Sequence, residues 1–298
     1  MDLVILAGGM GSRFGGAKQI EPIDENGDFI IDYSIFDAIK AGFDNVVIIV
    51  KPEFKEIFQK TIGERVSKKV NVSYAVQTLD LPQLEAYGIK REKPLGTAHA
   101  IFCAKDFVKD NFLVINADDF YGAESFSIAK NYLQSISKTS TDFALVGYKL
   151  KNTMTKFGAV KRGICQVQNG FVKQIDECTA EFQLNGVVAK RLDDGKQIKA
   201  NGAEIVSMNM FCLTPKIFDF LEMEMKNFAS QKQNLQSGEF LLPNVVSKMV
   251  DNGEATLKVL PTDETWIGMT YRQDKQNVEE SLKKLVLNGK YPKNLWQN

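Results

Sequence analysis

The sequence predicts an α/β fold built on a doubly wound, mostly parallel sheet, and three observations carry that prediction. Strand-length runs rich in apolar residues recur at Leu3–Ala7, Val46–Val50, Val70–Val76 and Phe112–Ile115. Such runs read as strands buried on both faces, as in a parallel sheet. Segments with helical spacing lie between them, so strands and helices alternate. Three of the runs end at Gly8, at Gln77 and at Asn116-Ala117-Asp118. Ligands of doubly wound sheets sit beyond the carboxyl ends of the strands, so three segments converge on one edge.

The remaining elements follow in order. After the glycine-rich stretch at Gly8–Gly16, Asp32 to Lys40 has helical spacing, with Ile31, Ile35, Phe36 and Ile39 on one face, and Gly42 ends it. Pro52 opens a charged helical stretch, and Leu79 to Lys93 reads as irregular and polar. Pro94-Leu95-Gly96-Thr97 leads into a helix from Ala98 to Ala104. From about Thr141 the pattern becomes β-rich: Phe143–Leu150, Ala159–Val167 and Phe171–Ile175 read as strands expected to cover the opened face of the sheet. Asn169-Gly170 is a hairpin signal and Asp194-Gly195 a weaker one. Ile205–Leu213 is a further strand. Thr214-Pro215 opens a helix with Ile217, Phe218, Leu221 and Met225 on one face. A helix from Pro243 to Val250 and an amphipathic helix from Asp274 to Leu287 complete the chain. With no repeat, low-complexity tract or linker, the reading is one domain over residues 1–298.

Composition narrows the function classes. The 298 residues carry 37 basic and 37 acidic side chains, for a net charge of zero. No basic stripe points to nucleic acid or a membrane surface. The N-terminal apolar run is too short for a signal peptide and no window approaches a membrane span; with four scattered cysteines, a cytoplasmic protein with reduced thiols is expected. No C-x-x-C occurs, so neither a zinc site nor a disulfide framework is indicated. The single histidine, His99, has no nucleophile elbow around it and reads as packed.

The chemistry concentrates in Leu6-Ala7-Gly8-Gly9-Met10-Gly11-Ser12-Arg13, followed by Lys18. Glycines let the backbone approach a ligand closely, and their N–H groups can meet phosphate oxygens beside the charges of Arg13 and Lys18. The dinucleotide fingerprint fails because Phe14 stands where the third glycine belongs, and the P-loop fails because Lys18 falls one place late and no Ser/Thr follows. The bland alternative is an ordinary strand–loop–helix turn. Gln77 offers a donor and an acceptor that match a pyrimidine edge, with backbone groups of Gly96-Thr97 beside it; the alternative is a polar strand end and a helix cap. Asp118 can hold Mg²⁺ against phosphate oxygens; the alternative is a solvated turn.

Together, L-A-G-G-x-G-S-R with Lys18, Gln77 and P-L-G-T-A-H-A at Pro94–Ala100 resemble the sugar-1-phosphate nucleotidyltransferases, the nucleotide-sugar pyrophosphorylases. The resemblance runs from Leu3 to about Thr270. It implies a Rossmann-like nucleotidyltransferase with a nucleotide-binding half (1–140), a β-rich sugar-binding half (141–270) and a C-terminal helix and tail (271–298). It implies that Ala7, Gly8, Gly9, Gly11, Ser12, Gln77, Gly96 and Thr97 bind the nucleotide, UTP or dTTP favoured. Arg13 holds the β/γ phosphates, Lys18 neutralises the α-phosphate, and Asp118 carries Mg²⁺. On the sugar side it implies Gly158, Glu177 and Asn209. Cys178 and Ser237 stand where the family has a lysine and an arginine, which leaves Lys161, Lys190 or Lys199 to meet the sugar phosphate. The W-x-D-x-G-T run is one residue short at Trp266–Thr270 and lacks its acid, so Asp263 is expected as an auxiliary ligand at most. The expected partners are a nucleoside triphosphate and a sugar 1-phosphate; a homo-oligomer is compatible with the sequence. The alternatives are a cytidylyltransferase acting on a non-sugar phosphate such as methylerythritol phosphate, and a non-catalytic nucleotide-sugar sensor.

Overall fold

A computed structural model describes residues 1–9, 20–155, 158–183, 186–268 and 274–297. The strands are β1 (Asp2–Leu6), β2 (Asn45–Val50), β3 (Asn71–Val76), β4 (Phe112–Asn116), β5 (Asp119–Phe120), β6 (Asp142–Lys149), β7 (Val160–Gln168), β8 (Phe171–Gln183), β9 (Gly186–Arg191), β10 (Gln197–Lys199), β11 (Ile205–Leu213), β12 (Thr256–Thr262) and β13 (Ile267–Gly268). Among the described residues eleven strands form one sheet in the order β10-β9-β8-β12-β6-β11-β4-β1-β2-β3, with β7 paired to β11 and β8. The run β3-β2-β1-β4 is parallel throughout, and β6 and β12 are parallel to each other. The other described pairings are antiparallel, β11 lying antiparallel between β4 and β6. Parallel character is therefore concentrated in the first half of the chain. The strands β6, β7 and β8, expected to cover a face, are instead hydrogen-bonded into the sheet, β6 between β11 and β12 and the other two through β7–β11 and β8–β12.

Helices lie on both faces, because alternate side chains of each strand point to opposite sides. Leu3 and Ile5 of β1 pack with the Ile30–Ala41 and Ala123–Ser135 helices. Val4 packs with the Thr97–Cys103, Ile217–Ala229 and Leu242–Asp251 helices. Leu3, Val4 and Ile5 are 0% exposed. At roughly 1.5–3 kcal/mol for each large apolar side chain fully buried, these three residues tie β1 to both helix layers. The Ile30–Ala41 helix stops at Gly42, whose φ of 93° is the left-handed cap a glycine supplies without strain.

The Ala123–Ser135 helix was not expected. Its apolar face, Phe126, Ala129 and Leu133, is interrupted by Ser125 and Lys130, and both are buried. Ser125 donates to the Tyr121 carbonyl (3.0 Å) and Lys130 to the Gly42 carbonyl. Strand β8 extends eight residues beyond the expected Ile175, to Gln183, and the Pro82–Ala86 helix interrupts the stretch read as irregular.

The C-terminal helix spans Asp274–Leu287, as expected. Val278 and Leu282 pack with Ile30, Tyr33 and Phe120. The tail beyond it is tied back to the N-terminal segment. Tyr291 Oη donates to Asp37 (2.7 Å) and Trp296 Nε1 to Asp32 (3.0 Å). Asp32 in turn accepts the Phe29 N–H (2.8 Å) at the start of the Ile30–Ala41 helix and pairs with Arg65 (2.8 Å).

Candidate active site

The site lies where the strand order reverses. β2 and β3 add to one side of β1 and β4 to the other, and the crevice beyond the strand ends at such a point is where doubly wound sheets bind ligands. In-register pairing aligns the ends, with Leu6 opposite Ile49 and Asn116, and Val50 opposite Val76. Three backbone hydrogen bonds carry the alignment one residue further: Ala7 N–H to Ile49 O (2.9 Å), Gln77 N–H to Val50 O (2.8 Å) and Ala117 N–H to Leu6 O (3.1 Å). Ala7-Gly8, Gln77 and Ala117-Asp118 thus leave the sheet together.

A cavity of about 530 Å³ opens there, lined among others by Leu6, Gly8, Gly9, Gln77, Gly96, Thr97, Glu239 and Leu241. Five expected nucleotide residues therefore share one wall. Gln77 is 6% exposed and donates from Nε2 to the Gly96 carbonyl (3.2 Å). A side chain at Gly8 would collide with this amide, since a Cβ there would stand 2.8 Å from Gln77 Oε1. Gly96 has φ 132° and ψ −175°, and its missing Cβ leaves room for the Phe240 carbonyl. The Thr97 hydroxyl accepts the Leu242 N–H (2.9 Å), so it ties down the Leu242–Asp251 helix rather than the one it begins. Arg91, missed in the sequence, staples the cavity's loops: its guanidinium donates to the carbonyls of Pro94 (3.1 Å), Leu235 (3.0 Å) and Gly238 (2.9 Å). A second cavity, about 610 Å³, follows Leu79–Glu92 and includes none of the expected residues.

Gly11, Ser12, Arg13 and Lys18 lie outside the described residues, as do Met269 and Thr270. Ala7 is buried and does not line the cavity, and Asp118 is half-buried past β4. The site's second group is a hydrogen-bond relay from β11 to β5. Asn209 sits in a bulge of β11 with φ 61°, which turns its amide toward β4. Asn209 Nδ2 donates to Asn116 Oδ1 (2.8 Å), and Asn116 Nδ2 donates to Asp119 (2.8 Å). Tyr121 Oη accepts the Asn116 N–H (3.0 Å). The expected sugar residue Asn209 is thus joined to the strand end that carries Asp118. Asn116 and Tyr121 were missed; the available signal was a polar residue closing a buried strand.

Glu177 of β8 faces Gly163 of β7, which faces Ser207 of β11. Partial burial raises the Glu177 carboxyl above its ordinary value, and Lys161 opposes that rise. Gly158, at φ 143°, precedes β7 with open space around it. Cys178 is 0% exposed, on the opposite face of β8 from Glu177, so the position where the family has a lysine turns into the core. Lys190 and Lys199 lie on β9 and β10, beyond β8, and Lys161 is the lysine beside Glu177. A cation missed in the sequence, Arg162, is 7% exposed and stacks on Trp266 at 4.6 Å. Burial lowers its pKa to about 10, so it stays charged at neutral pH. Asp263 is exposed and pairs with Lys149 at 2.5 Å. Gly268 of β13, not Asp263, is the residue paired with Asp119.

For Mg²⁺ the donor set is a single acid beyond β4, Asp118, with Asp119 next to it. An ion that keeps several waters and meets substrate phosphates needs one or two protein carboxylates, so these residues fit. Among the described residues no group of three or more acids, histidines or cysteines gathers to hold a metal. No helix among them is long and apolar enough to cross a membrane.

The family model described as nucleotidyl transferase matches residues 3–269. A glucose-1-phosphate thymidylyltransferase of Neisseria meningitidis is 27% identical over 53% of this chain and 50% of its own length. A UTP–glucose-1-phosphate uridylyltransferase of Bacillus subtilis is 23% identical over 83% of this chain and 79% of its own. The chain spans about half the length, or less, of several curated relatives it matches. The solved inositol-1-phosphate CTP transferase of T. maritima superposes with a TM-score of 0.63 at 16% identity, covering 96% of both chains, which speaks for a shared fold.

Proposed function

Since the chain belongs to the nucleotidyl transferase family, we propose that it transfers a nucleotidyl group from UTP or dTTP to a sugar 1-phosphate, giving an NDP-sugar and pyrophosphate. The observation that carries this reading is the single cavity at the strand-order reversal that Gly8, Gly9, Gln77 and Gly96 line together. A carboxamide and backbone groups there can meet a flat base edge, while the glycine-rich stretch that leaves β1 can meet phosphates.

In the proposed reaction a sugar-phosphate oxygen attacks the α-phosphorus in line. The new P–O bond forms as the bond from the α-phosphorus to the bridging oxygen breaks, and the electron pair leaves with pyrophosphate. The protein's work is positioning and charge neutralisation. Arg13 is assigned to the departing β/γ phosphates and Lys18 to the α-phosphate. Asp118 would hold the Mg²⁺, which when bound supplies positive charge to the phosphate oxygens. Asn209, Glu177 and Gly158 are assigned to the sugar, with Lys161 as the cation nearest that group. The protein is proposed to be one domain that works in the cytoplasm, without nucleic acid or membrane.

The test is a matrix of UTP, dTTP, CTP, GTP and ATP against several sugar 1-phosphates, read by pyrophosphate release. Release with UTP or dTTP and a hexose 1-phosphate supports the reading. Equal use of GTP and UTP, or release only with a non-sugar phosphate acceptor, overturns it.

A further inference from the structure

The turn that carries Asp118 is held from outside the main sheet. Asp118 follows β4, and the next two residues, Asp119 and Phe120, form β5, whose one strand partner among the described residues is the two-residue β13. Two paired residues do not fix a strand by themselves, since even an isolated hairpin is only marginally stable in water. The side chains packed on β5 must place it. Successive side chains of a strand point to opposite sides. Tyr121 turns into the main core, where its hydroxyl donates to the Met208 carbonyl (3.1 Å). Phe120 turns the other way, into a separate cluster.

That cluster is completed by the C-terminal tail. Phe120 is 3% exposed, and two rings meet it edge to face: Tyr33 of the Ile30–Ala41 helix, with centroids 6.4 Å apart, and Tyr291 of the tail, at 6.0 Å. Tyr33 and Tyr291 also meet each other, at 5.1 Å. The three rings close a triangle, in the edge-to-face arrangement that aromatic quadrupoles favour. The Tyr291 ring is fixed in its orientation because its hydroxyl donates to Asp37 of the same helix (2.7 Å). Two residues on, the Lys293 carbonyl accepts from Asn26 Nδ2 (2.6 Å), which pins the tail. The helix also reaches β5 directly, since Ser34 Oγ donates to the Asp119 carbonyl (3.1 Å). Tyr291 thus rests both on the ring that follows Asp118-Asp119 and on the helix that holds the Asp119 carbonyl.

We propose that Tyr291 is a positioning residue for the nucleotidyl transfer: its ring closes a socket on Phe120, and the C-terminal tail thereby sets where the Asp118 carboxylate stands. This rests on the transferase reading, with Asp118 as the acid toward Mg²⁺, and adds to it a residue that acts only through others. A carboxylate that serves a metal shared with substrate phosphates works at one place, and a misplacement of about 1 Å can cost about a hundredfold in rate. Binding of UTP without the metal makes no such demand. The contribution of Tyr291 therefore shows in the Mg²⁺-dependent part of nucleotide binding and in turnover.

The test compares the wild type with Tyr291→Leu and Tyr291→Phe, each checked by thermal denaturation to be folded at the assay temperature. Tyr291→Leu removes the ring and fills part of its space; Tyr291→Phe keeps the three rings and gives up only the hydrogen bond to Asp37. Titration calorimetry with UTP is run once in Mg²⁺ and once in EDTA. The wild type is expected to bind more tightly in Mg²⁺. In Tyr291→Leu that ratio of affinities should fall severalfold toward unity while the affinity in EDTA is unchanged. Its kcat should fall about tenfold or more with the KM for the sugar phosphate unchanged, and Tyr291→Phe should recover most of both losses. A tyrosine with only a packing role lowers the melting temperature and leaves the ratio alone, so a folded Tyr291→Leu with the wild-type ratio and kcat overturns the proposal. So does Leu295→Ala, which thins the same cluster from the same tail, if it moves the ratio as far. A wild type that binds UTP equally in Mg²⁺ and EDTA, yet releases pyrophosphate, overturns the proposal and leaves the transferase reading intact. Pyrophosphate release with no nucleotide overturns both. If Tyr291→Leu does not fold, Phe120→Leu tests the same contact from its other side, with the same outcomes.

Discussion

Gly96→Ala tests how rigidly the base pocket is built. Gly96 holds φ 132° and ψ −175°, a region that residues with a Cβ enter at a cost of about 1–3 kcal/mol. The added methyl would also run into the Phe240 carbonyl. That carbonyl cannot retreat freely: it accepts the Ala98 N–H (3.0 Å), while the Phe240 N–H donates to Leu95 O (2.6 Å). Overpacking against fixed backbone adds about 1–3 kcal/mol, so the loss of stability should be about 2–6 kcal/mol. A domain of ordinary stability, about 5–15 kcal/mol, should survive it folded. The control is Gly27→Ala, at φ 76° with nothing within 4 Å of a Cβ, where only a left-handed cost of about 1–2 kcal/mol applies. Urea denaturation of both variants measures the difference, and calorimetry with UTP should show a loss of tenfold or more confined to Gly96→Ala, because the Gly96 carbonyl orients Gln77. If Gly96→Ala is no less stable than Gly27→Ala and binds UTP normally, the two-bond clasp between the Leu95–Ala98 segment and Phe240 is not what shapes the pocket.

Two further variants probe the acids. Asp118→Asn should lose activity that added Mg²⁺ does not fully restore, whereas Asp263→Asn, which only releases an exposed partner of Lys149, should keep most of it in the same Mg²⁺ titration; the reverse order would move the metal assignment away from β4. Asp37→Asn concerns stability. Burial chiefly raises the Asp37 carboxyl to about 7, against the Tyr291 hydroxyl that hydrogen-bonds it. A raised acid favours the folded state when protonated, so this contribution is present below about pH 4 and is lost as pH rises through about 7. Denaturant midpoints at pH 5 and pH 8 should show the wild type losing ground to Asp37→Asn at the higher pH, by at most about 3 kcal/mol. A difference between the two proteins that does not change with pH would show that Asp37 does not titrate in this window.

The legible parts of the fold were those whose signal is local. Buried parallel strands are apolar along their whole length, so β1, β2 and β4 stood out. Gly42 and Asn169-Gly170 announced their turns because the left-handed conformation favours those residues, and both Asn169 and Gly170 have positive φ. The Ala123–Ser135 helix was hidden because Ser125 and Lys130 occupy its buried face and satisfy themselves on the Tyr121 and Gly42 carbonyls, which no periodicity reveals. Strand β8 was cut short because one side of it faces water, and Glu177 and Glu181 break the apolar pattern there. Gln77, Gly96 and Asp118 were visible as polar or glycine residues at strand and helix ends. The relay from Asn209 through Asn116 to Asp119 was not, since it joins residues 93 apart and depends on a bulge in β11. Arg162 was passed over in favour of lysines because a buried arginine stacked on tryptophan reads in sequence like any strand cation.

The most direct measurement of the central claim is phosphorus-31 NMR of the protein incubated with UTP, glucose 1-phosphate and Mg²⁺. The account predicts that the α-phosphorus of UTP moves into a diphosphate ester with the sugar phosphate while pyrophosphate accumulates in equal amount, and that no orthophosphate forms. Intact UTP in slow exchange with the protein, with no new diphosphate ester for any hexose 1-phosphate supplied, would contradict it and leave a protein that binds the nucleotide without transferring it.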